Sequence, residues 1–442
     1  MHKIAPKSFI INKPSYENGH SIVRFHYSFD NGLKFCEEID FQRQISFEDE
    51  ELETAFNNAL HHLAIALGIS YYKAYIPNDI TLKGFEIDAD SLNFFHDMYF
   101  HGLGEFAYRN KVSLKNKINF TAQPADKKEI ISTEPPQKNA ILIGGGKDSV
   151  VSVEILKQTK MNNVLFAVNP AKPILECARE SGLDLIQIKR RIDPKLFELN
   201  EQGVYNGHVP ITGMISLIAA CASYLYGFDH IILSNERSAS QGNTEYEGEI
   251  VNHQFSKSFG FEAMIANHMK QHINPSLHYF SLLRPLSELA ITRLFTKTDI
   301  YDDVFTSCNT AFKIMNRPDQ RWCRNCPKCR FVFLALSTAM PLPRLIHIFG
   351  GNMFEDETQI NGFKALCGIG DHKPWECVGE IEESASAFKH LSSLEEYNNL
   401  SVVKALSAAL PKDTPNIESF MNIANEHNIP DEYMEALHAY MG

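Results

Sequence analysis

The chain has little of what marks several common protein classes. Its 42 Lys and Arg residues are outnumbered by 54 Asp and Glu residues, and the net charge of −12 argues against a surface that wraps nucleic acid. Residues 1–7 (Met-His-Lys-Ile-Ala-Pro-Lys) lack the apolar core of a secretory signal. The nine cysteines, four clustered and five scattered, favour reduced thiols over a disulfide framework. We therefore expect a cytoplasmic protein.

A long apolar run that could cross a membrane is nearly absent as well. Residues 203–228 carry no Asp, Glu, Lys or Arg, but they include Pro210 and Gly213 and lie within alternating strand and helix patterns. We expect a buried core helix there and no membrane partner. The 442 residues, 44% of them hydrophobic, leave room for two or three domains.

A glycine-rich segment is the most informative feature that is present. Residues 141–154 (Ile-Leu-Ile-Gly-Gly-Gly-Lys-Asp-Ser-Val-Val-Ser-Val-Glu) predict a buried strand that runs through three glycines into a helix. Glycines let the backbone bend sharply near a ligand, and the helix N terminus favours an anion. The spacing excludes a Walker P-loop, and Ser149 stands where a dinucleotide fingerprint needs its third glycine. The segment therefore indicates a polyphosphate site.

The region from residue 139 onward predicts an α/β fold with a doubly wound parallel sheet. Short apolar runs alternate with helical stretches there, at residues 141–143, 164–168, 185–188, 231–233 and 279–283. Ligands of such sheets bind at the carboxyl ends of the strands, so the residues that follow each run form one set.

The first 134 residues predict a separate α+β domain. Alternation in residues 21–29 and 33–41, around Asp30-Asn31-Gly32, predicts a hairpin, and Ser46 is expected to cap a helix that runs to Leu67. Residues 123–137 are polar and rich in Pro and Lys, as linkers are. The predicted domains are 1–134, a nucleotide-binding domain at 135–300 and a cysteine-containing, mainly helical region at 301–442.

Four cysteines are spaced as metal ligands. Cys308, Cys323, Cys326 and Cys329 form the pattern C-x14-C-x2-C-x2-C, and four thiolates can close a tetrahedral zinc site. Such a site has no open position, so its zinc would be structural. A redox-active pair and unliganded core cysteines remain alternatives.

The glycine segment resembles the Ser-Gly-Gly-x-Asp-Ser motif of PP-loop ATP pyrophosphatases, with Gly144 in place of the usual serine. That resemblance implies an adenine nucleotide alpha hydrolase-like fold and cleavage of ATP to AMP and pyrophosphate. The motif and a cysteine cluster also occur together in the synthase of the nitrile precursor of queuosine. More segments resemble the MurL family of UDP-N-acetylmuramoyl-L-alanyl-L-glutamate epimerases, namely residues 144–149, 206–212, 234–240, 252–258, 284–289, 308–329 and 373–379.

The MurL resemblance implies an isomerase of peptidoglycan precursor synthesis that uses ATP and Mg²⁺. It would invert the terminal L-glutamate of UDP-MurNAc-L-Ala-L-Glu through carboxyl adenylation, with a small-molecule substrate and no nucleic acid. Adenylation removes the carboxylate charge, so a side chain of ordinary pKa can take the α-proton. An amide-forming, nitrile-forming or thiolating enzyme acting on a nucleobase is the alternative, and a non-catalytic nucleotide-binding module is a third reading. The oligomeric state is open.

Roles for single residues follow from position and chemistry. The glycines and Ser149 should hold pyrophosphate, Asp148 should help to place Mg²⁺, Lys147 lies at the variable position and is expected to be solvated, and Asn169 should lie near adenosine. The residues expected to bind the nucleotide are Gly144, Gly145, Gly146, Lys147, Asp148, Ser149 and Asn169.

For proton transfer we expect His253 and Lys257, which share one face if their segment is helical. Glu236 and His208 are alternatives. Cationic side chains should hold the γ-carboxylate or the UDP phosphates, unless they are solvated or ion-paired. They are Arg237, Lys257, Arg284 and Arg321.

Overall fold

The computed structural model describes residues 6–124, 137–312, 320–370 and 374–442. The predicted linker at 123–137 falls almost wholly outside these residues. The described part is rich in both helices and strands, as the sequence predicts.

Thirteen strands are formed by the described residues. They are β1 (Ser8–Asn12), β2 (Ser15–Tyr16), β3 (Ile22–Phe29), β4 (Lys34–Asp40), β5 (Asp79–Ile87), β6 (Asn119–Pro124), β7 (Asn139–Leu142), β8 (Asn163–Val168), β9 (Leu185–Arg191), β10 (His230–Leu233), β11 (Thr244–Tyr246), β12 (Glu249–Val251) and β13 (His278–Ser281). The predicted hairpin is β3–β4, and the five predicted strands of the nucleotide-binding domain are β7, β8, β9, β10 and β13.

Fifteen α-helices are formed by the same residues. They are α1 (Glu50–Tyr72), α2 (Ala89–Gly102), α3 (Gly104–Asn110), α4 (Lys147–Lys157), α5 (Lys172–Ser181), α6 (Lys195–Glu201), α7 (Ile211–Tyr226), α8 (Phe259–His272), α9 (Glu288–Phe295), α10 (Pro327–Ser337), α11 (Leu342–Phe349), α12 (Ile360–Leu366), α13 (Ile381–Leu391), α14 (Ser401–Ser407) and α15 (Asp431–Met441). Helix α1 begins later than predicted, because Asp49 and not Ser46 accepts the capping hydrogen bond from Glu51 N.

One large sheet organises the chain. Its strands lie in the order β13-β10-β7-β8-β9-β4-β3-β1-β5-β6, with β2 beside β3. Strands β13, β10, β7, β8 and β9 are parallel, and the chain reverses direction across the sheet on either side of β7. The gap between β7 and β10 is thus the switch point at which ligands of such sheets bind.

The predicted boundary at residue 134 does not separate two structural units. Strand β4 of the first region pairs antiparallel with β9 of the second, with Glu38 opposite Arg191. Beside this seam the Arg190 guanidinium donates to Glu37 at 2.6 Å, and both side chains are buried. The first region therefore extends the nucleotide-binding sheet, and its residues can contribute to a common site.

The two faces of the sheet belong to two hydrophobic cores. Successive residues of a strand point to opposite faces, so Val164 joins one core and Leu165 the other. Helices α1, α2, α7 and α8 cover the first face, whereas α4, α9 and the C-terminal helices cover the second. This arrangement confirms the α/β fold class.

The apolar run at residues 203–228 forms helix α7, which is buried in the first core as predicted. Across the described ranges, we find no helix with the length and apolarity needed to cross a bilayer.

Candidate active site

A cavity of about 350 Å³ opens at the carboxyl ends of β7, β8 and β10. The glycine loop and the start of α4 form one wall, and segments from the second half of the chain form the other. Its volume is that of a small-molecule site. The residues that follow β7 and β10 thus meet at one place, beside the last residues of β8.

The glycine loop is shaped by contacts that exclude side chains. Gly145 has a φ of +74°, and a Cβ there would lie 3.1 Å from the backbone nitrogen of Ile174. A Cβ on Gly146 would lie 2.8 Å from the Ser307 hydroxyl oxygen. At Gly144 a Cβ would meet nothing within 4 Å, so the serine usual in the motif would fit. The backbone therefore requires glycine at position 145, whereas position 146 is crowded by the Ser307 side chain.

The N terminus of α4 points its free N–H groups at this loop. Gly146 is the N-cap residue, and no described side chain makes the capping hydrogen bond. The Ser149 hydroxyl donates to Gly146 O at 3.0 Å, while Ser149 and Asp148 both line the cavity. The helix end thus offers an anion its partial positive charge.

The expectation that Lys147 is solvated is wrong. Its side chain is 2% exposed, and its ammonium group contacts Glu288 and lies 2.5 Å from Asp148 Oδ1. Burial alone would lower the pKa of Lys147, but the two carboxylates raise it above its usual value. Lys147 is therefore a fixed positive charge at the cavity wall.

The opposite wall brings together Glu236, Lys257 and Cys377, all of which line the cavity. Lys257 ends a short 3₁₀ helix, Phe255–Lys257, whereas His253 lies in the turn before it. The expected shared face of an α-helix is thus not formed. Both side chains nevertheless converge on Cys377, since Lys257 Nζ lies 3.7 Å from its sulfur and His253 is hydrogen-bonded to it.

Cys377 has a pKa that is lowered by its charged neighbours. Burial raises the pKa of this thiol, but Lys257, the hydrogen bond with His253, and Lys328 together outweigh burial and bring it to about 7. The negative charge of Glu236 acts with burial and raises the pKa of Cys377. A substantial fraction of Cys377 is therefore thiolate at neutral pH.

Behind Cys377 lies a carboxylate with two histidines. Glu105 on α3 contacts His253 Nδ1 through Oε2, and His208 Nδ1 lies 3.6 Å from the same oxygen. Burial lowers the pKa of His253, but hydrogen bonds with Cys377 and Glu105 raise it to about 9. Burial, reinforced by His253, lowers the pKa of His208 to about 4. His253 is thus a cation at neutral pH, and His208 is neutral.

Four residues expected at the site have other partners. The Asn169 amide bonds the backbone N and O of Arg190, so it ties β8 to β9. Arg284 is 1% exposed, and it is bound by Glu262 and by the carbonyls of Glu236 and Lys257. It therefore positions the loops that carry two site residues and does not bind an anion.

The remaining two arginines lie outside the cavity lining. Arg237 Nε is 3.9 Å from Glu380, and Arg321 contacts Glu176 at 3.1 Å and the carbonyl of Val304. The expectation that these side chains hold substrate anions is not supported by their contacts.

The four spaced cysteines converge in space. The sulfurs of Cys308, Cys323, Cys326 and Cys329 all lie within 4.8 Å of one another, and those of Cys323 and Cys329 are 3.8 Å apart. Zinc–sulfur bonds of about 2.3 Å in a tetrahedron place the sulfurs about 3.8 Å apart, so the donor set and its size fit zinc.

Several site residues carry weak sequence signals. Cys377 lies in a segment that resembles a known family, but one scattered cysteine indicates no role. Glu105 reaches the site from α3, and nothing in its local sequence distinguishes it from a surface charge. Glu288 on α9 and Lys328 on α10 lie in segments that resemble a known family, but the sequence predicted no role for either of them. A buried carboxylate on a helix would be the signal, and the burial of Glu105 becomes visible only in the folded structure.

The chain matches two family models over most of its length. A model described as the MurL N-terminal domain matches residues 1–282, and one described as the MurL C-terminal domain matches residues 304–420. The first match crosses residue 134, in agreement with the continuous sheet.

Curated relatives are similar over nearly the whole chain. A protein of Xanthomonas oryzae pv. oryzae is 42% identical over 445 residues, 99% of this chain and 98% of the relative. Proteins of a Micromonospora species and of Salinispora tropica are 40% and 39% identical, over 92% and 87% of this chain and 92% and 84% of the relatives. All three are named UDP-N-acetyl-alpha-D-muramoyl-L-alanyl-L-glutamate epimerase. This chain therefore belongs to the MurL family.

Proposed function

We propose that the chain is an ATP- and Mg²⁺-dependent epimerase that inverts the terminal L-glutamate of UDP-MurNAc-L-Ala-L-Glu, a step of peptidoglycan precursor synthesis. One observation carries the proposal. A single cavity has an anion-binding loop on one wall and titratable groups, Cys377 among them, on the other. Such a cavity suits a reaction that needs both a polyphosphate and a proton transfer.

The position of ATP follows from the glycine loop. The polyphosphate lies against Gly144–Gly146 and the first turn of α4, in the manner of a PP-loop ATP pyrophosphatase. The strand order around β7, with the loop at the switch point, supports this placement. Fixed N–H groups and the Lys147 charge would stabilise the departing pyrophosphate.

The cavity also suits Mg²⁺. Its carboxylates are Asp148, Glu236 and Glu288, and Mg²⁺ is usually held by one or two carboxylates together with substrate phosphates. Asp148 is the residue that we expect to hold the ion, because it lies in the first turn of α4, next to the glycine loop. The ion would neutralise charge on the phosphates.

The chemistry begins at the α-carboxylate of the terminal glutamate. A carboxylate oxygen attacks the α-phosphorus of ATP, an O–P bond forms, and the bond to pyrophosphate breaks. The acyl adenylate has no carboxylate charge beside Cα, so its C–H bond is far more acidic. After inversion at Cα, water hydrolyses the mixed anhydride and releases AMP and the D-glutamyl product.

The test is an incubation of pure protein with ATP, Mg²⁺ and UDP-MurNAc-L-Ala-L-Glu in deuterated water. We expect AMP and pyrophosphate only when the dipeptide nucleotide is present, and D-glutamate with α-deuterium after hydrolysis of the product. Absence of both AMP and deuterium would overturn the proposal. AMP formation with a nucleobase substrate and gain of nitrogen or sulfur would establish the alternative enzyme class.

We also propose that the four-cysteine cluster holds one structural zinc ion. Its ligands flank two parts of the cavity wall: Thr306 N donates to Gly145 O at 2.9 Å just before Cys308, and Lys328 lines the cavity between Cys326 and Cys329. The ion would thus hold the glycine loop and α10 in fixed positions. Four thiolates leave no coordination position for substrate, so the ion takes no chemical step.

Metal analysis of the purified protein tests the zinc site. We expect about one zinc per chain, lost in Cys326→Ser together with thermal stability, and kept in the control Cys36→Ser, whose residue lies on β4. Protein purified without a metal and with an unchanged melting temperature would exclude the site.

A further inference from the structure

Cys377 lies where two cationic groups and the cavity meet. Its sulfur is 3.7 Å from Lys257 Nζ and hydrogen-bonded to His253, and the residue lines the same cavity as the glycine loop. The charged groups around it are Lys257, His253, Lys328 and Glu236. No other cysteine lines this cavity within the ranges that the structure describes.

The protonation states of this cluster single out the sulfur as an acceptor. The Cys377 and Glu236 charges raise the pKa of Lys257 despite its burial, so Lys257 carries a proton it does not give up at neutral pH. His253 also holds its proton, with its pKa at about 9. Cys377, with its pKa at about 7, is the member of this group that changes protonation state near neutral pH.

Side-chain contacts of the two residues before Cys377 hold this segment in place. Glu376 accepts a hydrogen bond from the Asn309 amide at 2.6 Å, and Trp375 stacks on Tyr108 of α3 at 4.9 Å between ring centroids. Cys377 is thus fixed between the first region and the segment that begins the cysteine cluster. A fixed acceptor is what proton transfer at carbon requires.

We propose that the Cys377 thiolate takes the α-proton of the terminal glutamate once its carboxyl group is adenylated. This inference rests on the function proposed above. The S–H bond forms as the Cα–H bond breaks, and the electron pair moves into the carbonyl group of the acyl adenylate. A proton from water then adds to the opposite face of the planar carbon, and the electron pair returns from the carbonyl group to form the new Cα–H bond.

Two isotope exchanges separate this role from activation of the carboxylate. The first is dipeptide-dependent exchange of labelled pyrophosphate into ATP, which reports adenylation alone. The second is deuterium uptake at Cα in deuterated water. We expect pyrophosphate exchange by Cys377→Ala to stay within about threefold of wild type. Its deuterium uptake at Cα should fall about 10²–10⁴-fold.

Control variants make the result specific. Cys367→Ala removes a buried thiol at the end of α12, outside the cavity lining, and should keep both exchanges. Glu236→Gln removes the neighbouring carboxylate and should retain more deuterium uptake than Cys377→Ala. If Cys377→Ala melts well below wild type, the same readings are taken on Cys377→Ser.

The outcomes are distinct. Full deuterium uptake by a folded Cys377 variant would overturn the inference, as would loss of both exchanges in a variant that melts like wild type. Wild-type protein with neither exchange would instead overturn the proposed function. Uptake by wild type should rise through an inflection near pH 7, and Cys377→Ser should lack that inflection.

Alkylation supplies a readout that does not depend on activity. Iodoacetamide at pH 7 should modify Cys377 faster than Cys367, because burial raises the pKa of Cys367 to about 12. ATP with the dipeptide nucleotide should slow the modification of Cys377. Equal rates at the two cysteines would contradict a thiolate at position 377.

Discussion

Two histidine clusters of similar geometry lie in the first core and at the candidate site. The rings of His208 and His253 are 4.8 Å apart, and those of His62 and His268 are 4.9 Å apart. The His208–His253 pair lies behind Cys377 at the cavity wall. The His62–His268 pair is enclosed in the first core, where the two side chains are 2% and 3% exposed. The ring of His268 stacks on that of Phe94, with 3.9 Å between the ring centroids.

The carboxylate decides how the two clusters differ. Glu105 contacts His253 directly and helps to raise its pKa, whereas Asp88 bonds His272 at 3.0 Å and leaves His62 bonded to His268 at 2.9 Å. Burial therefore prevails for His62, whose pKa is lowered to about 3, and for His268, whose pKa is also lowered. Placement of a carboxylate, more than the histidines themselves, makes one cluster a charged site and the other a neutral core.

The largest expected effect of this difference is on how the free energy of unfolding changes in acid. A histidine with a lowered folded pKa is neutral in the folded state and protonates near pH 6.5 when unfolded, so the free energy of unfolding falls as pH falls below about 6.5. Between pH 7 and 5 each of His62 and His268 should cost about 2 kcal/mol. The pKa of His253 is raised, so this residue changes the free energy of unfolding in the opposite direction. Its stabilising contribution is present below pH 6.5 and is lost as the pH rises towards 9.

Urea unfolding of wild type and of His62→Phe/His268→Phe at pH 5, 6 and 7 checks this expectation. The free energy of unfolding should change less between pH 7 and pH 5 in the double variant than in wild type, whatever the absolute stability of the variant. Parallel curves would mean that the two rings are protonated in the folded core.

Removal of the carboxylate should convert the charged cluster towards the neutral one. Burial raises the pKa of Glu105 but hydrogen bonds from His253 and Arg109 lower it to about 2, so the wild-type group is an anion. In Glu105→Gln the pKa of His253 should fall and that of Cys377 should rise, and deuterium uptake at pH 7 should fall about 100-fold. The inflection of its pH profile should move to higher pH.

Asp88→Asn is the matched control, because asparagine keeps the cap of α2 that Asp88 supplies to Ser91 N. We expect its uptake to equal that of wild type. An equal loss in both variants would remove the distinction between the clusters.

The fold was more predictable than the site, for physical reasons. The five parallel strands and the glycine loop are local patterns, so periodicity and turn chemistry reveal them. The pairing of β4 with β9 joins residues about 150 positions apart, which no local pattern encodes. For the same reason, the sequence did not predict the roles of Glu105 and Cys377. The prediction for Arg284 was wrong because the sequence around an arginine at a strand end is the same whether it binds a substrate anion or a buried carboxylate such as Glu262.

A single substitution in the enclosed cluster should affect stability and not chemistry. His62→Phe leaves His268 Nε2 without its partner in a site that admits little water, at a cost of about 1–3 kcal/mol in the free energy of unfolding. Pyrophosphate exchange and deuterium uptake of the folded protein should stay within about twofold of wild type. A large loss of either exchange would place the enclosed cluster in the mechanism.

His208 gives the smallest and sharpest test of the comparison. It lies beside the charged cluster, yet its lowered pKa leaves it neutral, and its 3.6 Å approach to Glu105 is longer than a normal hydrogen bond. His208→Gln should therefore reduce deuterium uptake only about two- to tenfold, the effect of one weak hydrogen bond. Its pH profile should keep the inflection near pH 7, because His253, Glu105 and Cys377 remain. A loss as large as that of Glu105→Gln would instead make His208 a second group that moves a proton, and the charged cluster would then need both of its histidines.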